Sequence, residues 1–511
     1  MLERYVKKIL SSRVYDVAVE TPLQRAPRLS ARTGHEVLLK REDMQPVFSF
    51  KIRGAYNKIA QLSEEEQQRG VIAASAGNHA QGVALAAREL GLKAVIVMGR
   101  NTPSIKVDAV RALGAKVVLH GDGFDEAKAH ADGLVAEHGY TFVHPFDDVD
   151  VLTGQGTVGM EIMNQHARAP GAVFVPVGGG GLIAGISAYV KYLSPGTRVV
   201  GVECEGSACL AAAMRAGRRV KLPYDSLDLF ADGVSVAQVG RETFKVARQC
   251  VDEVITVSTD EICAAVKDLF DDTRAIAEPS GALAVAGLKK FAARGGKAAA
   301  RTGGDGSLVA VVSGANVNFD RLRHISERAE VGEQRESILG VTIPEQRGSF
   351  RRFCQTLGKR SVSEFNYRYA SDEAAHVYVG LQVATPADRA AVVEALEAGG
   401  YAVQDMTDNE AAKLHVRHMV GGRTLGGKPE LLYRFEFPER PGALLRFLSV
   451  LGTEWNITMF HYRNHGAAWG RVLVGFEAGE GDRKKLTAYL ERVGYRYWEE
   501  TDNPAYRLFL R

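Results

Sequence analysis

From residue 71 to about 330 the chain alternates short apolar runs with amphipathic stretches. VIAAS (71–75), KAVIVM (93–98), KVVLHG (116–121), TFVHP (141–145), AVFVPV (172–177), RVVGVE (198–203), EVITVS (253–258) and SLVAVVSGANVN (307–318) read as strands. Between them lie helical stretches: HAQGVALAAREL (79–90) closed by Gly91, a segment opening near Pro103, FDEAKAHADGLVAEHG, and LIAGISAYVKYL after a glycine run. Strands without strict apolar–polar alternation are buried on both faces, which implies parallel sheets covered by helices. So many strands exceed what one small sheet needs. The pattern predicts an α/β domain over 1–325 built of two adjoining lobes, the smaller at about 54–150.

The pattern then changes. Residues 320–337 are charged with sparse apolar positions and read as a connecting helix, which as a separate segment spans 326–336. Beyond it the chain repeats itself. PEQRGSFRRF (344–353) matches PERPGALLRF (438–447), 94 residues on, and Leu357-Gly358 matches Leu451-Gly452 at the same offset. FNYR (365–368) matches FHYR (460–463), and VYVGL (377–381) matches VLVGF (472–476), both 95 residues on. Each copy reads as a β-α-β-β-α-β unit of ferredoxin-like α+β type. The two units are expected at 337–415 and 431–511. Phe353, Leu357, Phe447 and Leu451 fall at helical spacing and are expected in the cores.

Composition narrows the function. The 511 residues are 46% hydrophobic, enough for large cores, and the formal charge is only +3. A nucleic-acid partner would call for a strong basic excess. No apolar stretch reaches the ~18 residues of a membrane span, and the charged N-terminus has no apolar core of a secretory signal. Five cysteines without a CxxC pair point to reduced thiols and a cytoplasmic location. Glycine is abundant, at 54 residues, and much of it follows apolar runs, as in phosphate-binding turns.

Four segments are candidates for chemistry. In Ser49-Phe50-Lys51-Ile52-Arg53-Gly54, the lysine lies among Phe48, Phe50 and Ile52. An apolar setting lowers an amine's pKa and frees it for imine chemistry; a solvated surface lysine would do nothing. In Ser75-Ala76-Gly77-Asn78-His79, between a strand and a helix, free N–H groups would bind a carboxylate. The same residues would also serve as a plain helix cap, with Ser75 or Asn78 as the N-cap. Gly178-Gly179-Gly180-Gly181-Leu182 follows a buried strand and lets backbone N–H groups converge on one anion. It lacks the Lys-Ser/Thr of a nucleotide loop and the GxGxxG spacing, so the anion is expected to be a small phosphate on a compact cofactor. Ser313-Gly314-Ala315-Asn316 ends the last strand and by itself reads as a turn.

Together and in this order, the four segments resemble the fold-type II pyridoxal-phosphate (PLP) enzymes, and among them the threonine deaminases with two C-terminal ACT-like units. The resemblance spans essentially the whole chain. It implies that Lys51 bonds PLP through an imine and is the catalytic base. It implies that Gly178, Gly179, Gly180, Gly181 and Leu182 hold the phosphate, Asn78 the 3′-oxygen and Ser313 the pyridine nitrogen, with Phe50 also at the cofactor. Ser75, Gly77, Asn78 and His79 are implied to take the substrate. Glu278, in Glu278-Pro279-Ser280-Gly281, is either a site-lining residue or a helix cap.

The resemblance implies loss of water and then ammonia from L-threonine as the first step of isoleucine synthesis. Isoleucine would inhibit through the ACT-like units and valine would counteract, in a homotetramer. Tyr367 and Tyr462, equivalent in the two copies, are candidate effector contacts. Related serine racemases have a second serine where Ala76 stands, so racemisation should be poor here. They also bind a divalent metal near the segment matching 203–209, where this chain has Cys209 in place of an aspartate; no required metal is expected. A broader L-serine/L-threonine dehydratase and a non-catalytic amino-acid sensor are the alternatives.

Overall fold

The computed structural model describes residues 2–294, 304–332, 336–344, 352–353, 356–357, 362–369, 374–418, 430–438, 446–447, 450, 455, 457–463 and 469–510. The chain divides into two compact units, Met1–Phe319 and Asp320–Arg511.

Ten strands build the first unit: β1 (Leu23–Arg25), β2 (Val37–Arg41), β3 (Val71–Ala74), β4 (Ala94–Met98), β5 (Lys116–Leu119), β6 (Thr141–Phe142), β7 (Ala172–Pro176), β8 (Arg198–Cys204), β9 (Glu253–Val257) and β10 (Leu308–Val312). They form two sheets, ordered β5-β4-β3-β6 and β1-β2-β10-β7-β8-β9. Every pairing is parallel except β1 with β2. The central strands β3, β4, β7 and β10 are buried throughout, as expected for apolar runs covered on both faces. The expected two lobes are therefore these two sheets with their helices. The N-terminal pair β1 and β2 was not anticipated: LQR is short and polar, and VLLKR carries two buried charged residues that break its apolar run.

No helix among the described residues is long and apolar enough to cross a membrane. Cys204, Cys209, Cys250 and Cys263 are buried and unbridged.

The second unit opens with a helix, Arg321–Gly332, and continues as two copies of one fold. Strands β11 (Glu336–Pro344), β12 (Val362–Tyr369), β13 (Ala374–Gln382) and β14 (Ala402–Asp405) form an antiparallel sheet in the order β12-β13-β11-β14. Strands β15 (Glu430–Pro438), β16 (Ile457–Arg463), β17 (Trp469–Glu477) and β18 (Arg496–Glu499) repeat that order as β16-β17-β15-β18. The helices Pro386–Ala398 and Arg483–Val493 pack on the two sheets through Val392 and Leu396, and through Leu486 and Leu490. Phe353, Leu357 and Phe447 are buried in these cores; Leu451 lies outside the described residues. Tyr367 and Tyr462 face Val377 and Val472 across equivalent ladders, and their side chains lie outside the described residues. A shared apolar layer containing Ile338, Tyr378, Leu432, Leu473, Tyr506 and Phe509 joins the copies.

In the first unit, helix Lys51–Ile59 crosses helix Val149–Gln165 with unusually close backbones. A Cβ on Gly54 would stand 2.7 Å from the Val151 carbonyl, and one on Gly154 would stand 2.6 Å from that of Arg53. Beside this crossing lies a fully buried ionic cluster. Arg53 donates from Nε to Glu42 at 2.7 Å and from Nη1 to Glu161 at 2.5 Å, with further bonds to Thr157 and the Val19 carbonyl. Lys40 donates to Glu161 at 2.5 Å, to the Thr21 carbonyl at 2.5 Å and to Gln165 at 3.1 Å. Two cations face two carboxylates. Burial alone would raise the Glu42 pKa, but the Arg53 guanidinium holds it below its ordinary value. Desolvation lowers that of Lys40 against the pull of Glu161.

Such a cluster gains little over apolar packing when whole, but removing one member strands the others. Replacing Arg53 with leucine is expected to lower the stability of this unit by ~3–5 kcal/mol, read as a drop in the urea midpoint. A midpoint equal to that of the parent would mean that Glu42 and Glu161 do not depend on it.

Candidate active site

Lys51 begins its helix where three chain segments meet. The preceding loop turns through Phe48, which adopts φ 54, in the left-handed region. That turn is fastened to the end of β10. Phe50 N–H donates to the Ser313 carbonyl at 3.2 Å, Ala315 N–H donates to that of Phe48 at 2.8 Å, and Ser49 bridges Gly314. The Lys51 Nζ donates to the Pro145 carbonyl at 3.0 Å and lies 5.2 Å from the centre of the Phe50 ring. Desolvation pushes the amine down to about 8, with the Glu278 carboxylate opposing the shift. Of the three apolar residues expected around the lysine, Ile52 is buried and Phe50 lies against the amine, but Phe48 is 56% exposed and takes no part in that setting.

The tetraglycine turn closes the site from the large sheet. It follows β7 and leads into helix Gly181–Leu193, with Leu182 buried in that helix's first turn. Gly180 adopts φ +90, which residues with a side chain rarely reach. A Cβ on Gly178 would stand 2.9 Å from Val234, and one on Gly179 would run into the Phe146 ring. The Gly179 carbonyl accepts from Gly240 N–H at 3.1 Å and from Thr243 Oγ1 at 2.8 Å, so it is turned away and committed. That leaves the N–H side of the turn, at the positive end of a 13-residue helix, as an anion cradle. The cradle fits the phosphate of PLP, and the desolvated lysine fits its aldehyde.

The segment that joins lysine to cradle is His144–Asp147; the strand expected over 141–145 ends at Phe142, because His144 folds the chain into a turn, and Phe146 and Asp147 carried no local signal. His144 Nδ1 accepts from the N–H groups of Phe146 at 3.2 Å and Asp147 at 2.8 Å, folding the turn that aims the Pro145 carbonyl at Lys51. The Asp147 carboxylate accepts from Arg241 and Glu242 N–H, both at 2.8 Å, at the start of helix Arg241–Cys250. Burial pushes the His144 imidazole down to about 4, so it is neutral and able to accept.

The loop after β3 approaches from the small sheet. Ser75 Oγ accepts from Gly77 N–H at 3.3 Å, and Gly77 is the N-cap of helix Asn78–Glu89. The cap is therefore neither Ser75 nor Asn78. Gly77 has no side chain to occupy the first N–H groups, and a Cβ there would meet nothing within 4 Å. His79 is buried, with Nε2 2.8 Å from the Val143 carbonyl, so that nitrogen carries the proton. Burial first, then Lys51, push this imidazole down to about 3. Its Nε2 is a neutral donor to the carbonyl just past β6, while its Nδ1 is buried without a hydrogen-bond partner.

Asn78 reaches the far wall. Its Nδ2 donates to Glu278 Oε1 at 2.5 Å, and its Oδ1 accepts from Asn316 Nδ2 at 2.7 Å. Glu278 is buried at the N-cap of helix Pro279–Ala292, but its side chain makes no capping bond, so it lines the site. Ser313 is buried and donates to the Ser280 carbonyl at 3.3 Å. Asn316 stood in the sequence only as part of a turn, and nothing local marked it.

The 203–209 segment is differently employed. Glu203 is fully buried and accepts from Leu210 N–H at 2.7 Å and Ala211 N–H at 2.8 Å; burial raises its pKa to about 7. Cys209 Sγ donates to the Gly178 carbonyl at 3.5 Å, bracing the glycine turn. Among the described residues, no group of three or more His, Cys, Asp or Glu is arranged to hold a metal.

Residues 14–314 match the family model of pyridoxal-phosphate dependent enzymes, and 327–416 and 421–510 each match the C-terminal regulatory domain of threonine dehydratase. The chain is 53% identical over 509 residues to the L-threonine dehydratase biosynthetic IlvA of Burkholderia multivorans, covering 99% of both. It is 53% identical over 507 residues to the protein of that name from Escherichia coli, covering 99% of this chain and 97% of that one. Among solved structures, the processed form of threonine deaminase isoform 2 from Solanum lycopersicum superposes with a TM-score of 0.61 at 49% identity, over 64% of this chain and 93% of that one. Two family models that together span the chain, a doubled regulatory fold and full-length likeness at this level agree: the chain belongs to the biosynthetic threonine dehydratases, PLP-dependent lyases with a C-terminal regulatory domain.

Proposed function

We propose that the protein converts L-threonine to 2-oxobutanoate and ammonia, with PLP held between Lys51 and the tetraglycine turn. The observation that carries this reading is the half-buried Lys51, its amine pushed down to about 8 by desolvation and held at 3.0 Å by the Pro145 carbonyl. The full-length relatives named L-threonine dehydratase support the substrate.

Each residue then has a task. Gly178, Gly179, Gly180, Gly181 and Leu182 would hold the phosphate through backbone N–H groups, and Phe50 would bound the ring. Asn78 would donate to the 3′-oxygen, and Ser313 would meet the ring nitrogen. PLP, when bound, supplies an electron sink for the pair left at the substrate's α-carbon. Lys51 Nζ takes the α-proton; an amine near 8 is partly neutral at physiological pH and can do so. The Ser75–His79 segment, with its uncapped helix N-terminus, binds the substrate carboxylate. A hydroxyl at Ser313, unlike a carboxylate, does not favour a protonated ring nitrogen. Such a partner would leave the bound cofactor a weaker sink, which would favour loss of the β-hydroxyl, protonated as water, over reprotonation of the α-carbon.

The second unit carries the control in this reading. Isoleucine inhibits there and valine counteracts, with Tyr367 and Tyr462 as candidate contacts, in a cytoplasmic homotetramer that needs no divalent metal and feeds isoleucine synthesis. Control of this kind requires two conformations to which the effector binds unequally.

The purified protein is expected to be yellow, and borohydride should bleach it while fixing the cofactor to Lys51. Lys51→Ala should lose at least ~10³-fold in kcat. Retained turnover in that variant would overturn the assignment. The value of kcat/KM is expected to be higher for L-threonine than for L-serine, and isoleucine should depress activity at subsaturating threonine. Equal rates on both substrates and no effector response would favour the broad dehydratase. Colourless protein that cannot be reconstituted would favour the sensor.

Acid should weaken the site through its histidines. His79 and His144 are neutral when folded but protonate near 6.5 when unfolded, so the unfolded state binds more protons as pH falls below that value. Their contribution is complete above about 6.5 and is lost progressively down to about 4 and about 3. Asn in place of His144 offers an oxygen to the same two N–H groups and cannot titrate. His144→Asn should therefore shrink the loss of stability between pH 7 and 5 by about 1–2 kcal/mol. An unchanged slope in denaturant titrations would contradict the buried neutral state.

A further inference from the structure

We infer that Asn316 is a positioning residue, which fixes the polarity of the Asn78 amide so that a donor rather than an acceptor is offered to the cofactor's 3-oxygen. The inference rests on the PLP reading above and deepens it. An Asn side chain presents an oxygen on one side and an NH₂ on the other, and rotation by half a turn exchanges them. At Asn78 that exchange would decide whether the phenolic oxygen of a bound ring meets a partner or a repulsion. Glu278 and Asn316, the partners of the Asn78 amide, lie outside its own helix, so its polarity is set from there.

The chain of contacts settles it from both ends. Asn316 Nδ2 lies 2.8 Å from the Val47 carbonyl, which only accepts, so the NH₂ of Asn316 must face that way. The same Nδ2 lies 2.7 Å from Asn78 Oδ1, so its second hydrogen goes there. At the other end, Asn78 Nδ2 lies 2.5 Å from Glu278 Oε1, an acceptor when ionised. A backbone carbonyl at one end and a carboxylate at the other thus impose one orientation on both amides. Each Asn78 group has one committed bond, and its NH₂ keeps a second hydrogen for a ligand. Val47 adjoins the Phe48 turn that leads into Lys51, and Asn316 follows Ser313 by three residues. The relay therefore ties the 3-oxygen partner to both the lysine loop and the pyridine-nitrogen loop.

The test compares reconstitution of the full-length apoprotein with PLP and with 3-deoxy-PLP, the analogue lacking the 3-oxygen. Dissociation constants and the absorption band of the bound cofactor are read alongside the thermal midpoint. Asn316→Ala removes the donor to Asn78. It is expected to weaken PLP by about 3–10-fold, the worth of one oriented hydrogen bond, and to shift the absorption band, with 3-deoxy-PLP affinity unchanged. Asn316→Asp puts an acceptor against both Val47 and Asn78 and should do more harm than alanine. Asn316→Ser keeps a donor and should recover part of the loss; the Ala and Ser variants decide the matter even where the aspartate variant does not fold. Equal weakening of PLP and 3-deoxy-PLP would make Asn316 a structural residue and overturn the inference while wild type still binds PLP. Failure of wild type to bind PLP would overturn the cofactor reading, and this inference with it.

Discussion

Arg53 holds Lys51 in place by holding its helix. The guanidinium sits two residues beyond Lys51, fully buried, with Glu42 and Glu161 around it. Glu42 follows β2 directly and Glu161 belongs to the helix that Lys51's helix crosses, so one side chain locks three elements together. The close approach of Gly54 and Gly154 sets the depth of that crossing, and the forked hydrogen bonds set its rotation. A rotation of the Lys51 helix about its axis would break bonds to both carboxylates at once. Apolar packing at this place would be at least as stabilising. What it would lack is direction, and direction is what a lysine that must meet one carbonyl and one ring requires.

The same logic runs through the loops that close the site. None of them is rigid by its backbone alone; each is fixed by polar side chains, its own or those of another segment. His144 turns the Pro145 carbonyl toward Lys51, Asp147 ties that turn to helix Arg241–Cys250, and Thr243 of that helix holds the Gly179 carbonyl away from the cradle. Lysine and glycine turn are thus linked through a continuous set of hydrogen bonds. The two neutral histidines are part of this. His144 must accept and His79 must donate, and burial keeps both free of charge so that each can do so.

Much of this architecture was legible because its causes are local. Apolar runs such as VIAA and AVIVM announce strands buried on both faces, and a run of four glycines after AVFVPV has few structural uses. The family resemblance then gave Lys51, Asn78 and Ser313 their expected tasks. What stayed hidden has its cause elsewhere in the chain. Glu161 looks like an ordinary position on a long helix, and only the fold reveals that it is an ion partner 108 residues from Arg53. Phe146 and Asp147 lie in a stretch with no periodicity at all. Strands β1 and β2 were missed because Lys40 and Arg41 read as surface charges, whereas their partners Glu161 and Asp43 make them interior ones. Asn78 and Ser75 were read as possible caps because a cap and a ligand site use the same N–H groups, and only backbone geometry at Gly77 separates the two.

The duplicated unit shows which parts of a fold tolerate drift. Polar groups at matching positions do the same work in both copies. Thr407 Oγ1 accepts from Ile338 N–H as Thr501 Oγ1 accepts from Leu432 N–H, each at 3.0 Å. Asn409 caps the helix Glu410–Leu414, Asn503 caps Pro504–Phe509, and the two asparagines meet each other at 3.1 Å. The apolar interiors have diverged: Leu339 and Val341 in the first copy stand where the second has Tyr433 and Phe435. A core needs matched volume, which many combinations of side chains supply. A cap needs an oxygen at one distance from one N–H, which few side chains supply. The shared frame is therefore written in a handful of polar residues, while the interiors that give each copy its own character are free to differ.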